Sequence, residues 1–220
     1  SRDGYLWLDA RKADMRAEMI DMLTDLLAYS SRGLTGIQID DHFGAPTDIS
    51  GGASLWSAVT SFSGQILAAL ASTRVSLSPS TPSHARTLQV DYLNWARSGI
   101  AYNGRTYRFD HYAPQIYVSS ASLNLGQLGS APQSAPFVIG MRCVGSGAPT
   151  PWSNFVSQMR QATSASCFAG VSIWESSCLY REGASRSRVN ENWPNVMPGW
   201  RANGGGGGGV APRPPPPPAV

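Results

Sequence analysis

The stretch Gly36–Phe43 carries the residues with the clearest capacity for chemistry. It reads Gly-Ile-Gln-Ile-Asp-Asp-His-Phe, an apolar strand followed by two adjacent carboxylates and an imidazole. Side chains alternate between the two faces of a strand, so Ile37 and Ile39 share one face while Gln38 and Asp40 share the other. A polar residue and an acid on the same face predict that this face borders solvent or a reactive site.

Other predicted strands also end in polar or aromatic side chains. The carboxyl ends of parallel strands are the edge at which helix-covered sheets carry their active sites. Paired acids there could supply a nucleophile or base and a proton donor for glycoside hydrolysis. Amides and hydroxyls match sugar hydroxyls, and aromatic rings stack on the apolar faces of pyranoses. In chain order these residues are Asp9; Asp40, Asp41 and His42; Ser78; Gln115 and Tyr117; Arg142; and Trp174 and Glu175.

Asp40 and Glu175 are the candidate catalytic residues. Asp40 would act as nucleophile or transition-state carboxylate, and Glu175 as the acid/base, its pKa raised by apolar and aromatic neighbours such as Trp174. The candidates for substrate binding are Asp41, His42, Gln115, Tyr117, Trp174 and Asp9.

Structural roles for the same residues stay open on the sequence alone. An acid at a strand end, such as Asp41 or Asp9, can cap the helix that follows. His42 can be a hydrogen-bonded support, Glu175 a salt-bridged residue on the rim, and Trp174 a packing residue.

The order of elements is strand then helix, repeated. Apolar strand-like runs recur at a spacing typical of successive βα units. Both an open doubly wound sheet and an eight-stranded barrel fit this rhythm, but no Gly-x-Gly-x-x-Gly follows the first strand, so a dinucleotide-binding sheet has no support. The predicted strands are Tyr5–Asp9, Gly36–Asp41, Arg74–Pro79, Tyr112–Val118, Pro136–Met141 and Phe168–Trp174. Helices are predicted over about Arg11 to Tyr29, from Ser54, over about Ser83 to Ser98, and after Thr150-Pro151, where Thr150 would cap the helix.

Bulk properties narrow the classes of partner and cofactor. The chain has 220 residues, 42% of them hydrophobic, which is enough for one sizeable core. Its formal charge of +3 comes from scattered Lys and Arg, which argues against nucleic-acid binding. The three cysteines form neither a CxxC pair nor a Cys/His cluster, so no metal site is predicted, and no cofactor is. No apolar run is long enough to span a bilayer.

The strand–helix pattern stops near Ser185, so residues 1–185 are predicted to form the folded domain. Residues 186–203 look like a segment that wraps this domain. Residues 204–220, with runs of Gly and Pro, are predicted to be a linker or tail, either a spacer to a further domain or a docking site for a proline-reading domain. Such spacers often join modules of secreted polysaccharide enzymes, which favours an extracellular location without fixing it.

Four pieces of the sequence together resemble the family-10-like glycosyl hydrolases. They are Trp7–Ala10, Gly36–Phe43, Ser76–Pro79 and Gln115–Tyr117, and the resemblance covers roughly residues 5–180. It implies an α/β fold of the (β/α)8 TIM-barrel type, of which this chain would supply the C-terminal three-quarters. About six of the eight βα units would be present, and the barrel would be incomplete at its N-terminus.

The resemblance also implies a reaction, the hydrolysis of O-glycosidic bonds in a poly- or oligosaccharide. Its Gly-x-x-x-Asp strand is similar to the nucleophile strand of amylase-type barrels, which points to Asp40. Ser76–Pro79 holds no acid where such barrels keep the proton donor, so Glu175 takes that role. The alternative is a catalytically inactive carbohydrate-binding or scaffold domain of a multi-module protein.

Overall fold

A parallel β-sheet with helices along one face forms the body of the molecule. The computed structural model describes residues 7, 9–29, 33–47, 54–128, 137–142, 150–165 and 168–174. Among these, the strands are β1 (Gly36–Ile39), β2 (Arg74–Leu77), β3 (Ile100–Tyr102), β4 (Arg105–Tyr107), β5 (His111–Tyr112), β6 (Phe137–Arg142) and β7 (Phe168–Trp174). The α-helices are α1 (Ala13–Leu27), α2 (Ser54–Ala69), α3 (Pro82–Thr87), α4 (Tyr92–Ser98) and α5 (Trp152–Ser164).

The main sheet has five strands in the order β1-β2-β5-β6-β7, and every neighbouring pair is parallel. This confirms the predicted α/β class. Strands that neighbour each other in space also follow each other in the chain, apart from a separate two-stranded sheet inserted between β2 and β5. A doubly wound sheet instead reverses its strand order part-way across.

The two faces of the main sheet differ sharply in chemistry. One register row joins the first four strands through Ile39, Leu77, Tyr112 and Phe137, and a register shift after Phe137 sets Ile139 beside Val171 of β7. Because side chains alternate, the face of Leu77 is apolar along every strand. We call the opposite face the polar face; it carries Gln38, Asp40, Ser76, Ser78, His111, Gln115, Gly140, Arg142, Ser172 and Trp174.

The apolar face is the centre of the hydrophobic core. Leu77, Phe137, Ile139 and Met141 are fully buried there, and each such side chain contributes about 1.5–3 kcal/mol by leaving water. The helices complete the core, mainly through Leu55, Phe62 and Ile66 of α2, Tyr92 and Trp95 of α4, and Phe155 and Met159 of α5.

Part of the apolar surface of α1 faces solvent. Met15, Met19 and Leu23, spaced four residues apart, lie against the core. Met22 and Leu26 lie on the same helix but are 51% and 41% exposed. Ile20 also packs against the core, so the interface of α1 includes this side chain together with the i, i+4 row of Met15, Met19 and Leu23.

Strands β3 and β4 form an antiparallel hairpin that the sequence reading did not predict. Its turn is Asn103-Gly104, with φ of 48° and 73°. Two consecutive positive φ values are typical of the turn that Asn-Gly favours in two-residue hairpins. The hairpin packs on α2, where Gly64 leaves room for Tyr102.

Three predicted elements differ from those observed. The helix expected over Ser83 to Ser98 is two helices, α3 and α4, because Gln89 between them has φ of 60° and donates its side-chain N–H to the carbonyl of Ala45 at 2.9 Å.

The strand predicted over Tyr112–Val118 is only β5, followed by a single bridge from Gln115 to Gly140, because Pro114 cannot donate to the ladder. Thr150 does not cap α5, since its hydroxyl donates to the carbonyls of Arg142 and Val118.

Several predictions fall wholly or mostly outside the described residues. They are the strand at Tyr5–Asp9, of which only Trp7 and Asp9 are described; the domain end at 175–185; and the segments 186–203 and 204–220.

Candidate functional site

Asp40, Ser78 and Gln115 come together at the carboxyl edge of the sheet. The side-chain amide of Gln115 donates to Asp40 Oδ1 at 2.7 Å and lies 3.3 Å from both the Ser78 carbonyl oxygen and Ser78 Oγ. Ser78 Oγ in turn donates to the Ala113 carbonyl at 3.2 Å. The contact between Asp40 and Gln115 spans a separation of 75 residues in the chain.

Close contact between backbones places Gln115 in this group. Gln115 bridges Gly140 of β6, and a side chain at position 140 would have its Cβ 2.8 Å from the Pro114 carbonyl oxygen. Glycine is therefore required where this segment approaches β6. The pairing turns the Gln115 side chain onto the polar face, across the end of β2 towards Asp40.

Tyr117 and Trp174 extend the site along the same edge. Their rings lie 6.5 Å apart at an angle of 33°. Trp174 is 53% exposed, so one of the largest apolar surfaces at this edge faces solvent. Burial raises the pKa of the Tyr117 phenol to about 12, and the negative charges of Asp40 and Asp41 add to the rise. The phenol is therefore a stable hydrogen-bond donor beside two carboxylates.

Asp41 and His42 form a pair next to Asp40. They lie in a single 3-10 turn, Asp41–Phe43, directly after β1. Asp41 Oδ1 is 2.6 Å from His42 Nδ1, and the His42 ring stacks on Trp7 with ring centres 5.6 Å apart. No side-chain cap is present on this turn, so the carboxylate of Asp41 orients the imidazole instead of capping. A carboxylate on Nδ1 fixes the ring of a histidine that acts through its other nitrogen.

The carboxylate of Asp9 is occupied by its own neighbour. It accepts hydrogen bonds from the backbone N–H of Arg11 at 3.0 Å and from the guanidinium of Arg11 at 2.9 Å. These hydrogen bonds lower the pKa of Asp9 to about 2. These contacts form a local turn before α1. They give Asp9 a structural role at the start of this helix, similar to the helix-capping role considered for it above.

The predicted acid/base residue, Glu175, lies outside the described residues. Its separation from Asp40 therefore stays a prediction. The described chain ends at Trp174 of β7, whose ring contacts Tyr117. Among the described site candidates, Asp40, Asp41, Gln115 and Tyr117 share one neighbourhood, while Asp9 is held by Arg11.

Comparison of the chain with protein-family models, with curated proteins and with solved structures gave no match. The resemblance to family-10-like glycosyl hydrolases stays a prediction from its motifs. What the site can do must be judged from its geometry.

Sequence reasoning missed His111 and Ser76, which lie level with Gln38 on the polar face. Burial lowers the pKa of His111, so it resists protonation. The sequence does contain a signal for His111. Side chains two residues apart share a face of a strand, so positions 115, 113 and 111 fall on the same, polar face. This signal was overlooked because the strand was predicted to begin one residue later, at Tyr112.

The described residues contain no group of three or more His, Cys, Asp or Glu side chains that could hold a metal ion. None of the helices they form is long and apolar enough to cross a membrane.

Proposed function

We propose that this chain is the catalytic part of a glycoside hydrolase that acts on O-glycosidic bonds of a poly- or oligosaccharide. The observation that carries the proposal is the Asp40 carboxylate at the carboxyl edge of a parallel sheet, held at 2.7 Å by Gln115 on the polar face. A carboxylate fixed by an amide, beside aromatic rings and hydroxyls, suits an oxocarbenium-like transition state.

Asp40 is proposed as the nucleophile or the transition-state carboxylate. It is exposed, so a substrate could reach it, and the amide of Gln115 limits its rotation. Tyr117 supports the same role as a protonated donor facing a substrate hydroxyl. Asp41 and His42 would hold the adjoining part of the substrate.

Glu175 is proposed as the acid/base residue. It follows Trp174, whose apolar surface would raise the pKa of a neighbouring carboxylic acid. A separation between the carboxyl groups of Asp40 and Glu175 of about 5–5.5 Å would predict retention of anomeric configuration, and one of about 6.5–9.5 Å would predict inversion.

The finer fold in this proposal is a partial (β/α)8 barrel. Two features of the described sheet support it: the strands follow one another in chain order, and helices cover one face while the other face is polar. In an open doubly wound sheet both faces would need apolar side chains, because helices would cover both. In a barrel the uncovered face points inward and carries the site at its carboxyl end.

The proposal is tested by Asp40→Asn in the full chain, assayed for release of reducing ends from a panel of polysaccharides and for cleavage of 4-nitrophenyl glycosides. We expect turnover to fall by at least about a hundredfold, since the carboxylate acts on the reacting centre. Circular dichroism should be unchanged, because Asp40 is exposed. Asp21→Asn, on the exposed side of α1, is the matched control and should keep full activity.

A second function, carbohydrate binding without catalysis, is favoured by one observation. The two described acids at the site, Asp40 and Asp41, come from the end of a single strand, and the carboxylate of Asp41 is paired with His42. If the unaltered chain binds oligosaccharides but cleaves none of the panel, the chain is a binding domain and the hydrolase proposal is wrong.

A further inference from the structure

A cavity of about 370 Å³ lies beside the candidate site. This volume falls within the range of small-molecule pockets. Among the described residues that line it, His42 is the only ionisable one. Its principal walls are the side chains of Trp7, Met15, Met19, Phe43 and Phe62.

The cavity lies at the same edge of the sheet as Asp40. Met15 and Met19 belong to the first half of α1, and Val59, which also lines the cavity, belongs to the first half of α2. In a βα unit the helix runs back along the strand, so its first half lies near the carboxyl edge. Phe43 is in the turn directly after β1.

One carboxylate connects the cavity to the site. Asp41 Oδ1 is 2.6 Å from Nδ1 of His42, whose ring is part of the cavity wall. Asp41 follows Asp40 directly, and its charge acts on the phenol of Tyr117. A ligand that occupies the cavity would therefore end within a few side chains of the sheet edge.

The walls favour a flat ring over a flexible chain. Phe43 and Phe62 are stacked with ring centres 5.6 Å apart, and Trp7 stacks on His42 at the same distance. Aromatic rings gain energy from offset stacking beyond the area that they bury. The thioethers of Met15 and Met19 make favourable contacts with ring edges and adapt to the shape of a ligand.

We propose that this cavity binds a neutral aromatic group of about the size of indole, and that in a glycoside substrate this group is the aglycone. The assignment of this group as an aglycone rests on the proposed hydrolase function, whereas the binding of an aromatic group (the binding half of the proposal) does not. The substrate would then be an oligosaccharide with an aryl aglycone, whose ring lies among the methionines while the sugar attached to it lies against Asp40.

The binding half is tested by titrating the full chain with indole after labelling its methionine methyl groups with ¹³C. We expect saturable shifts of the Met15 and Met19 methyl signals. Met22, exposed on the same helix, and Met159, fully buried under the sheet, should not move. Absence of shifts at Met15 and Met19, or equal shifts at Met22, would overturn the proposal.

A pair of variants gives an independent check. Met15→Trp should fill part of the cavity and weaken indole binding by roughly tenfold or more, equivalent to about 1.4 kcal/mol. Met22→Trp places the same ring on the exposed side of α1 and should leave the affinity unchanged. Equal affinity in Met15→Trp and the parent chain would contradict a site at this position.

The aglycone half is tested by the kcat/KM for 4-nitrophenyl glycosides relative to methyl glycosides of the same sugar. We expect a preference for the aryl substrate that shrinks in Met15→Trp and persists in Met22→Trp. An unchanged preference in Met15→Trp would refute the aglycone assignment. Hydrolysis of neither substrate would refute the proposed function, while the indole titration would still decide whether the cavity binds aromatic groups.

Discussion

Asp40 and Gln115 meet because two simple rules act on different strands. Strand alternation turns both side chains onto the polar face, and parallel pairing brings the carboxyl ends of the strands to one edge. Both rules can be applied to the sequence, so this pair was predictable. The contact between Asp41 and His42, and the stacking of His42 on Trp7, depend on the geometry of a single 3-10 turn. No periodic pattern in the sequence encodes that turn.

At the residue scale, Asp40→Asn should lower the pKa of Tyr117 from about 12. Loss of a nearby negative charge favours the phenolate, so the pKa must fall. Burial is the largest cause of the elevated value and is unaffected, so the pKa should stay above the ordinary 10.0.

Titration of ¹³Cζ-labelled tyrosine measures this change, and Tyr117→Phe assigns the signal. Asp21→Asn removes a charge far from the sheet edge and should leave the Tyr117 pKa where it is. A Tyr117 pKa that is the same in Asp40→Asn and the parent would show that the phenol does not face Asp40.

At the scale of elements, local signals specified most helices and strands, and tertiary contacts decided the exceptions. The end of α3 has neither Gly nor Pro to signal it; the chain turns there because Gln89 reaches the Ala45 carbonyl, 44 residues away. The backbone N–H of Ala45 returns a hydrogen bond to the Leu88 carbonyl at 2.8 Å. Such a long-range pair overrides local helix propensity. The β3–β4 hairpin is different, since Asn103-Gly104 is a local signal that was present and overlooked.

The hairpin turn gives a prediction for glycine. Gly104 has φ of 73°, and a Cβ there would meet no atom within 4 Å. Gly104→Ala should therefore destabilise the chain by about 1–2 kcal/mol through backbone strain alone. Gly126→Ala, at a glycine without a positive φ and with only one atom near the added Cβ, is the matched control.

Urea unfolding monitored by circular dichroism compares the two variants. Gly126→Ala should change the free energy of unfolding little or raise it slightly, because alanine restricts the unfolded chain. Equal effects of the two substitutions would mean that the turn does not hold Gly104 at positive φ.

At the scale of the whole molecule, the contrast between the two sheet faces determines where the core and the candidate site lie. The apolar face fixes the core and could be predicted from the strand patterns. The side chains of the polar face are buried near the middle strand, as at Ser76 and Ser78, and exposed at the sides, as at Asp40 and Trp174.

His111, half-buried on the middle strand, should make global stability depend on pH. Burial lowers its pKa below the ordinary 6.5, so below pH 6.5 the unfolded chain binds a proton that the folded chain still excludes. The free energy of unfolding should therefore fall as the pH drops from 6.5 to the folded-state pKa, and then level off.

His111→Gln should flatten that part of the stability profile, as measured by urea unfolding at a series of pH values. His84→Gln, at an exposed position on α3, should preserve the slope of the parent chain. A His111→Gln profile as steep as that of the parent would exclude His111 as the source.

The sequential strand order has a consequence for how the chain acquires its structure. Each βα unit docks on the one made just before it, so no strand of the main sheet must wait for a partner from a distant part of the chain. Assembly of the sheet from β1 towards β7 can thus keep pace with synthesis on the ribosome, where amino-terminal regions fold first. Nascent chains halted after α4 should already contain a protected β1–β2 pair, while the carboxylate of Asp40 has not yet met Gln115.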